Sequence, residues 1–143
     1  YWEPEARGAI YGLTRNTGVE ELCRAVLESV GYQSKDLLDA MICDAAHLNA
    51  PILRVDGGMS ASDWTMQFLA NIIGAPVDRP KMLETTAFGV AWLAGMHVGF
   101  YPKIKEFSGS WSKDKTFESQ MNDQVRQSLV NGWELAIKRT LLK

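Results

Sequence analysis

Cysteine and histidine are scarce: two of each in 143 residues. Cys23 and Cys43 fall within one expected helix. At about 1.5 Å rise per residue they would stand roughly 30 Å apart. A disulfide tolerates only about 7 Å between Cα atoms, so a bridge is excluded. Free thiols point to a reducing, cytoplasmic setting. His47 and His97 lie far apart, and no Cys or His pair has metal-ligand spacing, so no metal site is expected from them. No run approaches the roughly 18 apolar residues of a membrane span. The first residues do not read as a signal peptide. There is no basic excess either: 15 Lys and Arg against 17 Asp and Glu leave a net charge of −2, which argues against nucleic acid as a partner. Lys138, Arg139 and Lys143 sit at the end of an expected helix, where the helix dipole explains them. What is present is an ordinary globular balance, 46% apolar and 22% charged, enough for one domain with a core. The chain opens on Tyr1-Trp2 without a Met, and is expected to be a piece of a longer protein.

Hydrophobic periodicity organises the rest. "GAIYGL", 8–13, reads as a short strand, followed by turn and cap residues Arg15 to Gly18. Thr17 with Glu20 and Glu21 marks a helix start, and that helix is expected to run to about Asn49. Leu22, Val26, Val30, Leu37, Met41 and Ala45 form its stripe; Gly31 interrupts it, implying a bend or a close helix contact. "ILRV", 52–55, reads as a buried strand. A second helix is expected over about 61–73, its face made by Trp64, Phe68 and Ile72 with Leu69 and Ile73, closed by Gly74. Spacing places Trp64 and Trp92 in the core rather than on a ligand. "APVDRP" holds a very short strand boxed by prolines, expected at an edge. A third helix starts near Thr85, with a small register, Ala87, Ala91, Gly95, beside a bulky one, Phe88, Trp92, Met96. Residues 99–116 read as loop. The last helix, about 117–142, carries Phe117, Met121, Val125, Leu129, Trp133 and Ile137 four apart. The whole is expected to be one domain, 1–143, with an α/β core over 1–100 and a loop and helix over 101–143. Alternating strands and helices imply parallel pairing through right-handed crossovers.

"RVDGGMSASDW", 54–64, is the stretch with chemical promise. In open α/β sheets ligands bind beyond the carboxyl ends of strands. Gly57 and Gly58 follow such an end and precede a helix N-terminus, which favours anions. Without Cβ atoms they let the main chain approach a ligand. Taken alone they fit a purely geometric strand-to-helix turn equally well. The spacing is neither G-x-G-x-x-G nor a P-loop. Asp56 is a candidate metal-linked carboxylate, though a capping role for the following turn is the simpler reading.

"GAIYGLTRNTGVEELCRAVLE", "LRVDGGMSASDWTMQFLANIIG" and "ETTAFGVAWLAG" occur in order over residues 1 to about 100. They resemble the C-terminal lobe of the FGGY family of sugar and polyol kinases, nearest to its glycerol-phosphorylating branch; 100–143 fits loosely. The resemblance implies a partial ribonuclease-H-like, actin- and hexokinase-like α/β domain: a small, mostly parallel sheet flanked by helices, plus a C-terminal helix. It implies ATP and Mg²⁺ as cofactors, with the nucleotide in a cleft against an N-terminal lobe that holds the polyol, glycerol. The family contacts nucleotide through the second glycine and a residue four positions on. Here these are Gly58 and Ser62, with Gly57 beside them. The family usually has Asn at the Ser62 position; Ser is shorter, so Asp63 or a water is a possible substitute. The general base and polyol ligands would lie upstream, so no catalytic residue is expected here and the piece alone is expected to be inactive. A homo-oligomer is expected of the intact enzyme. Another sugar kinase of the family, such as a pentulose kinase, is the near alternative. A non-catalytic ATP-binding regulator of the same superfamily and a partner-docking module are the others.

Overall fold

The computed structural model describes residues 3–45, 52–107 and 111–142. Along the chain run α1 (Val19–Asp44), β1 (Leu53–Arg54), a 3-10 turn (Gly58–Ala61), α2 (Asp63–Ile73), β2 (Val77–Pro80), α3 (Thr85–His97), α4 (Ile104–Phe107), β3 (Lys113–Phe117) and α5 (Asp123–Leu141). The predicted end of the first helix near Asn49 lies outside the described residues, as do His47 and Pro51.

The sheet has the order β1-β2-β3. β1 pairs parallel with β2, Leu53 opposite Val77. β2 pairs antiparallel with β3, Val77 opposite Phe117 and Asp78 opposite Thr116. Four sequence expectations need correction here. "APVDRP" gives the central strand, not an edge. Pro76 still serves the ladder, because its carbonyl accepts from Leu53 N–H at 2.9 Å. Pro80, which has no N–H, falls where the β2–β3 register slips. The stretch 99–116 is not all loop: α4 and most of β3 lie in it. β3 shows no apolar alternation, because Lys113, Asp114 and Lys115 are held by charges on β2 and α2 rather than by a core face. Phe117 consequently belongs to β3, and α5 begins later than its stripe suggested. The pairing is mixed, one parallel and one antiparallel pair, rather than mostly parallel.

"GAIYGL" is not a strand among the described residues. A ladder needs a partner, and Gly12, at φ 82°, breaks the extended run. Tyr11 instead reaches the end of α5: its hydroxyl lies 3.1 Å from Thr140 Oγ1, and the Arg139 guanidinium sits 5.9 Å from its ring centre. "ILRV" is half-buried rather than buried. Leu53 and Val55 pack on the core while Ile52 and Arg54 face outward, as befits the outer strand of the described sheet.

α2 is the hub. One side gives Met66, Leu69 and Ala70 to a core shared with Val77 and Phe117. Its other side gives Phe68 and Ile72 to Tyr32 of α1, with Met121, Leu129 and Trp133 around them. Trp64 departs from the core expectation. It is 45% exposed, its ring stacked on Phe68 at 5.6 Å. Trp92 is buried as expected, its indole N–H donating to Pro102 carbonyl at 3.1 Å. Gly74 ends α2 in the left-handed conformation, φ 69°. Arg126 closes the join, donating to Asn71 carbonyl and to Asp123. Trp133 Nε1 donates to Asp36 at 2.7 Å and its ring stacks on Tyr32, tying α5 to α1. Burial first, then the Glu28 carboxylate, pushes the Tyr32 phenol up to about 12, so it stays neutral in this aromatic cluster.

α1 starts where Glu21 accepts from the Gly18 N–H at 2.8 Å. Its buried residues are Gly31, Tyr32 and Leu38. The predicted stripe points the other way: Leu22, Val26, Leu37 and Met41 are exposed. α3 is apolar with little burial, Val90 and Leu93 being 64% and 53% exposed. Helices apolar on solvent-facing sides ordinarily pack in a larger body.

Gly31 is a close helix contact. A Cβ there would lie 2.9 Å from the Phe68 ring. Overpacking costs about 1–3 kcal/mol and the helix-propensity gain of about 1 kcal/mol offsets part of it, so Gly31→Ala is expected to destabilise by up to about 2 kcal/mol net. Thermal melting checks this, and an unchanged or raised melting temperature would show that the α1–α2 contact is loose.

Candidate functional site: the strand-end glycine turn

β1 and β2 run parallel and end at the same edge. Val55 N–H extends the ladder by donating to the Asp78 carbonyl of β2 at 3.1 Å, and the loops that leave the two strands are joined where Gly57 N–H donates to Leu83 carbonyl at 2.8 Å. Asp56 accepts from the Thr85 hydroxyl at the start of α3. Asp56 therefore joins the two loops across the edge. It does not cap its own turn, and no described carboxylate pairs with it as a metal ligand.

Gly57 has φ 83° and ψ 169°, a backbone region essentially reserved for glycine. Its carbonyl accepts from Ser60 N–H at 3.0 Å and from the Ser60 hydroxyl at 2.6 Å, which closes the 3-10 turn. Ser60 is 1% exposed, so the turn is anchored from beneath. Gly58, like Gly57, has nothing within 4 Å of where a Cβ would stand, but unlike Gly57 it has no positive φ. Among the described residues none fills the space above Gly58. The two glycines thus answer the question their adjacency raises. Gly57 is glycine for its backbone; no packing demand of the described residues requires one at Gly58.

Ser62 is the N-cap of α2. Its Oγ accepts from Thr65 N–H at 3.3 Å and from the Thr65 hydroxyl at 3.0 Å. In both bonds the oxygen accepts, so its own hydrogen remains available to an outside acceptor. The three predicted site residues therefore sit on one turn: Gly57 and Gly58 open it, Ser62 ends it. Asp63, although exposed, has both carboxylate oxygens engaged by cations. Lys115 Nζ reaches its Oδ2 at 2.6 Å and Arg79 Nη1 its Oδ1 at 2.7 Å. The hydrogen bond from Lys115, then that from Arg79, holds its carboxyl below the usual aspartate range.

Arg79 is the site residue that sequence reasoning missed. Its Nη1 also donates to the carbonyls of Ser60 and Ala61, at 3.1 and 3.3 Å. Nε and Nη2 bond Asp114, at 2.9 and 2.8 Å. A charged residue in mid-strand, inside "VDRP", is the signal that could have drawn notice.

Three expectations follow from the turn. Gly57→Ala should destabilise by about 1–3 kcal/mol through strain at positive φ. Gly58→Ala should change stability by less than about 0.5 kcal/mol, as an open surface position does. Thermal melting of the two variants checks this contrast; equal losses would mean that both glycines serve only the turn. Ser62→Ala should cost about 1 kcal/mol as a lost cap, readable in the same melts.

The comparisons with known proteins agree with one another. The model of the FGGY family of carbohydrate kinases, C-terminal domain, matches residues 1–98. The chain is 57% identical over 143 residues to a glycerol kinase of Sinorhizobium fredii, covering 99% of this chain and 29% of that protein. It is 56% identical over 141 residues to a glycerol kinase of Cereibacter sphaeroides, with the same coverage. Among solved structures, the Plasmodium falciparum glycerol kinase with ADP superposes with a TM-score of 0.81 at 34% identity, over 99% of this chain and 28% of that one. A xylulose kinase of Lactobacillus acidophilus shares the fold, with a TM-score of 0.71 at 24% identity, over 98% of this chain and 28% of that one. The chain spans less than a third of the length of these relatives. With most of its length matched by that family model, the chain belongs to the FGGY family of carbohydrate kinases.

Proposed function

We propose that this chain is the nucleotide-binding, C-terminal lobe of a glycerol kinase. The whole enzyme would transfer the γ-phosphoryl group of ATP to a terminal hydroxyl of glycerol, giving glycerol 3-phosphate. The observation that carries the reading is the open space over Gly58 at the end of two parallel strands. High identity to glycerol kinases argues for glycerol over a pentulose. The solved neighbour that contains ADP supports a nucleotide as the ligand.

The residues fit a nucleoside. A flat ring or ribose needs main chain without a Cβ in its way, which Gly58 supplies. Ser62 offers one hydroxyl hydrogen at the end of the same turn. ATP, carried with Mg²⁺, supplies the phosphoryl group. Mg²⁺ takes few protein ligands and is bound largely through phosphates, so this lobe needs no carboxylate cage. The work of these residues is to bind and orient the nucleoside and, with lobe closure, to exclude water. The base that accepts the hydroxyl proton and the groups that hold glycerol belong to the N-terminal lobe.

Residues 1–143 are read as one lobe, with an α/β core over 1–100 and the remainder built onto it. The exposed apolar residues of 8–13, of the outer face of α1 and of α3 are the surfaces on which the rest of the kinase packs. Among the described residues no helix is long and apolar enough to cross a membrane. Two exposed free cysteines suit a reducing cytoplasm.

The test is a substrate panel with the full-length protein, following ADP release. Glycerol should give the highest kcat/KM among glycerol, xylulose, ribulose and gluconate. A pentulose preferred tenfold, or no ATP-dependent turnover with any of them, would overturn the assignment. Purified 1–143 should show no turnover; phosphoryl transfer by it would place the base in this lobe.

A further inference from the structure

We infer that Arg79 is a positioning residue for nucleotide binding, holding the 58–62 turn in its open shape from behind. The inference rests on the glycine turn being the nucleotide site. It extends that reading to a side chain that need not touch the ligand.

A 3-10 turn of four residues has little hold on its own shape, and its last carbonyls lack partners inside it. Here a side chain from the neighbouring strand meets them. Arg79 Nη1 lies within hydrogen-bond reach of both Ser60 O and Ala61 O. The same nitrogen binds Asp63, the first residue of α2. One planar group therefore grips the turn and the helix that follows it. The rest of the fork is fixed by Asp114 of β3, and Lys115 of β3 holds Asp63 from its other oxygen. The Arg79 side chain is 12% exposed while Asp63 and Asp114 are 57% and 43% exposed. A largely covered, multiply bonded fork with partly solvated partners suits a clamp rather than a pair of surface ion bridges. The guanidinium also rests 5.2 Å from the Phe117 ring centre, which limits its movement. Gly58 and Ser62 flank the two gripped carbonyls, so releasing the grip frees both nucleotide contacts together.

Lysine cannot copy this arrangement, because one ammonium lacks the planar fork. The experiment uses the full-length protein and four variants: Arg79→Met, Arg79→Lys, Asp114→Asn and Gly58→Val. ADP binding by calorimetry, KM for ATP, KM for glycerol and melting temperature are measured for each. Arg79→Met should weaken ADP binding and raise KM for ATP by roughly tenfold, the scale of one or two lost charge-assisted bonds. KM for glycerol should stay within about twofold, since the loss is confined to one ligand. Arg79→Lys should recover part of the loss. Asp114→Asn, which leaves the carbonyl bonds in place, should weaken ADP binding less but in the same direction, and it decides the matter if Arg79→Met fails to fold.

Unchanged ADP affinity in a folded Arg79→Met protein overturns the inference. So does a parallel rise of both KM values with a falling melting temperature, the mark of a residue that only stabilises. Gly58→Val separates the two levels. If it abolishes ADP binding while a folded Arg79→Met protein keeps its full ADP affinity, Arg79 alone is dismissed. If Gly58→Val leaves ADP affinity intact, the turn is not the nucleotide site and both readings fall.

Discussion

Gly57 holds a backbone conformation, φ 83° with ψ 169°, that side chains oppose, and its N–H donates to the Leu83 carbonyl. That one bond joins the loop after β1 to the loop after β2. The neighbouring Asp56–Thr85 contact adds a second tie across the same edge. With the two loops fixed together, the chain must turn sharply at Gly58 to enter α2. The turn is bared to solvent because the strands beneath it run parallel and end side by side. Without the left-handed glycine, the path from β1 to α2 would lie elsewhere and the opening over Gly58 would not form.

The support beneath this edge is of two kinds. Apolar packing fixes α2 on the sheet through Met66, Leu69 and Ala70, and on α1 through Phe68 against Gly31 and Tyr32. Charge fixes the start of α2 through Arg79, Lys115, Asp63 and Asp114. Packing sets where the helix lies, whereas the ionic group sets how the turn before it is shaped. Exposed ion pairs alone contribute little to stability. The low exposure of Arg79 and its bonds to main-chain carbonyls make geometry, not folding energy, the main effect of this group. β3 therefore holds the start of α2 through charge although it contributes a single buried residue, Phe117.

Much of this was legible from the residues. The apolar face Phe68, Leu69 and Ile72, the Gly74 stop and the Gly31 contact follow from helical spacing and from glycine's lack of a side chain. The glycine turn was visible as a candidate, and its family resemblance named the ligand class. What stayed hidden depended on pairing. The sequence 8–13 has the composition of a strand, but no described strand pairs with it. The β3 sequence "KDKTF" has no apolar period, since its charges are answered by residues about 35 to 50 positions away. "APVDRP" looked like an edge because of its prolines, yet Pro76 contributes through its carbonyl and Pro80 falls at a bulge. The α1 stripe was read correctly as apolar, but it faces away from the described core. Arg79 could be found only once its carbonyl partners were located in space.

The central claim is that main chain at the 57–62 turn forms one wall around the nucleoside. Hydrogen–deuterium exchange of the full-length protein, with and without saturating ADP, tests it most directly. The account predicts slowed exchange over 56–63 and at the start of α3, with α1 and α5 little changed. Protection confined to other segments, while the turn exchanges at its unliganded rate, would contradict it.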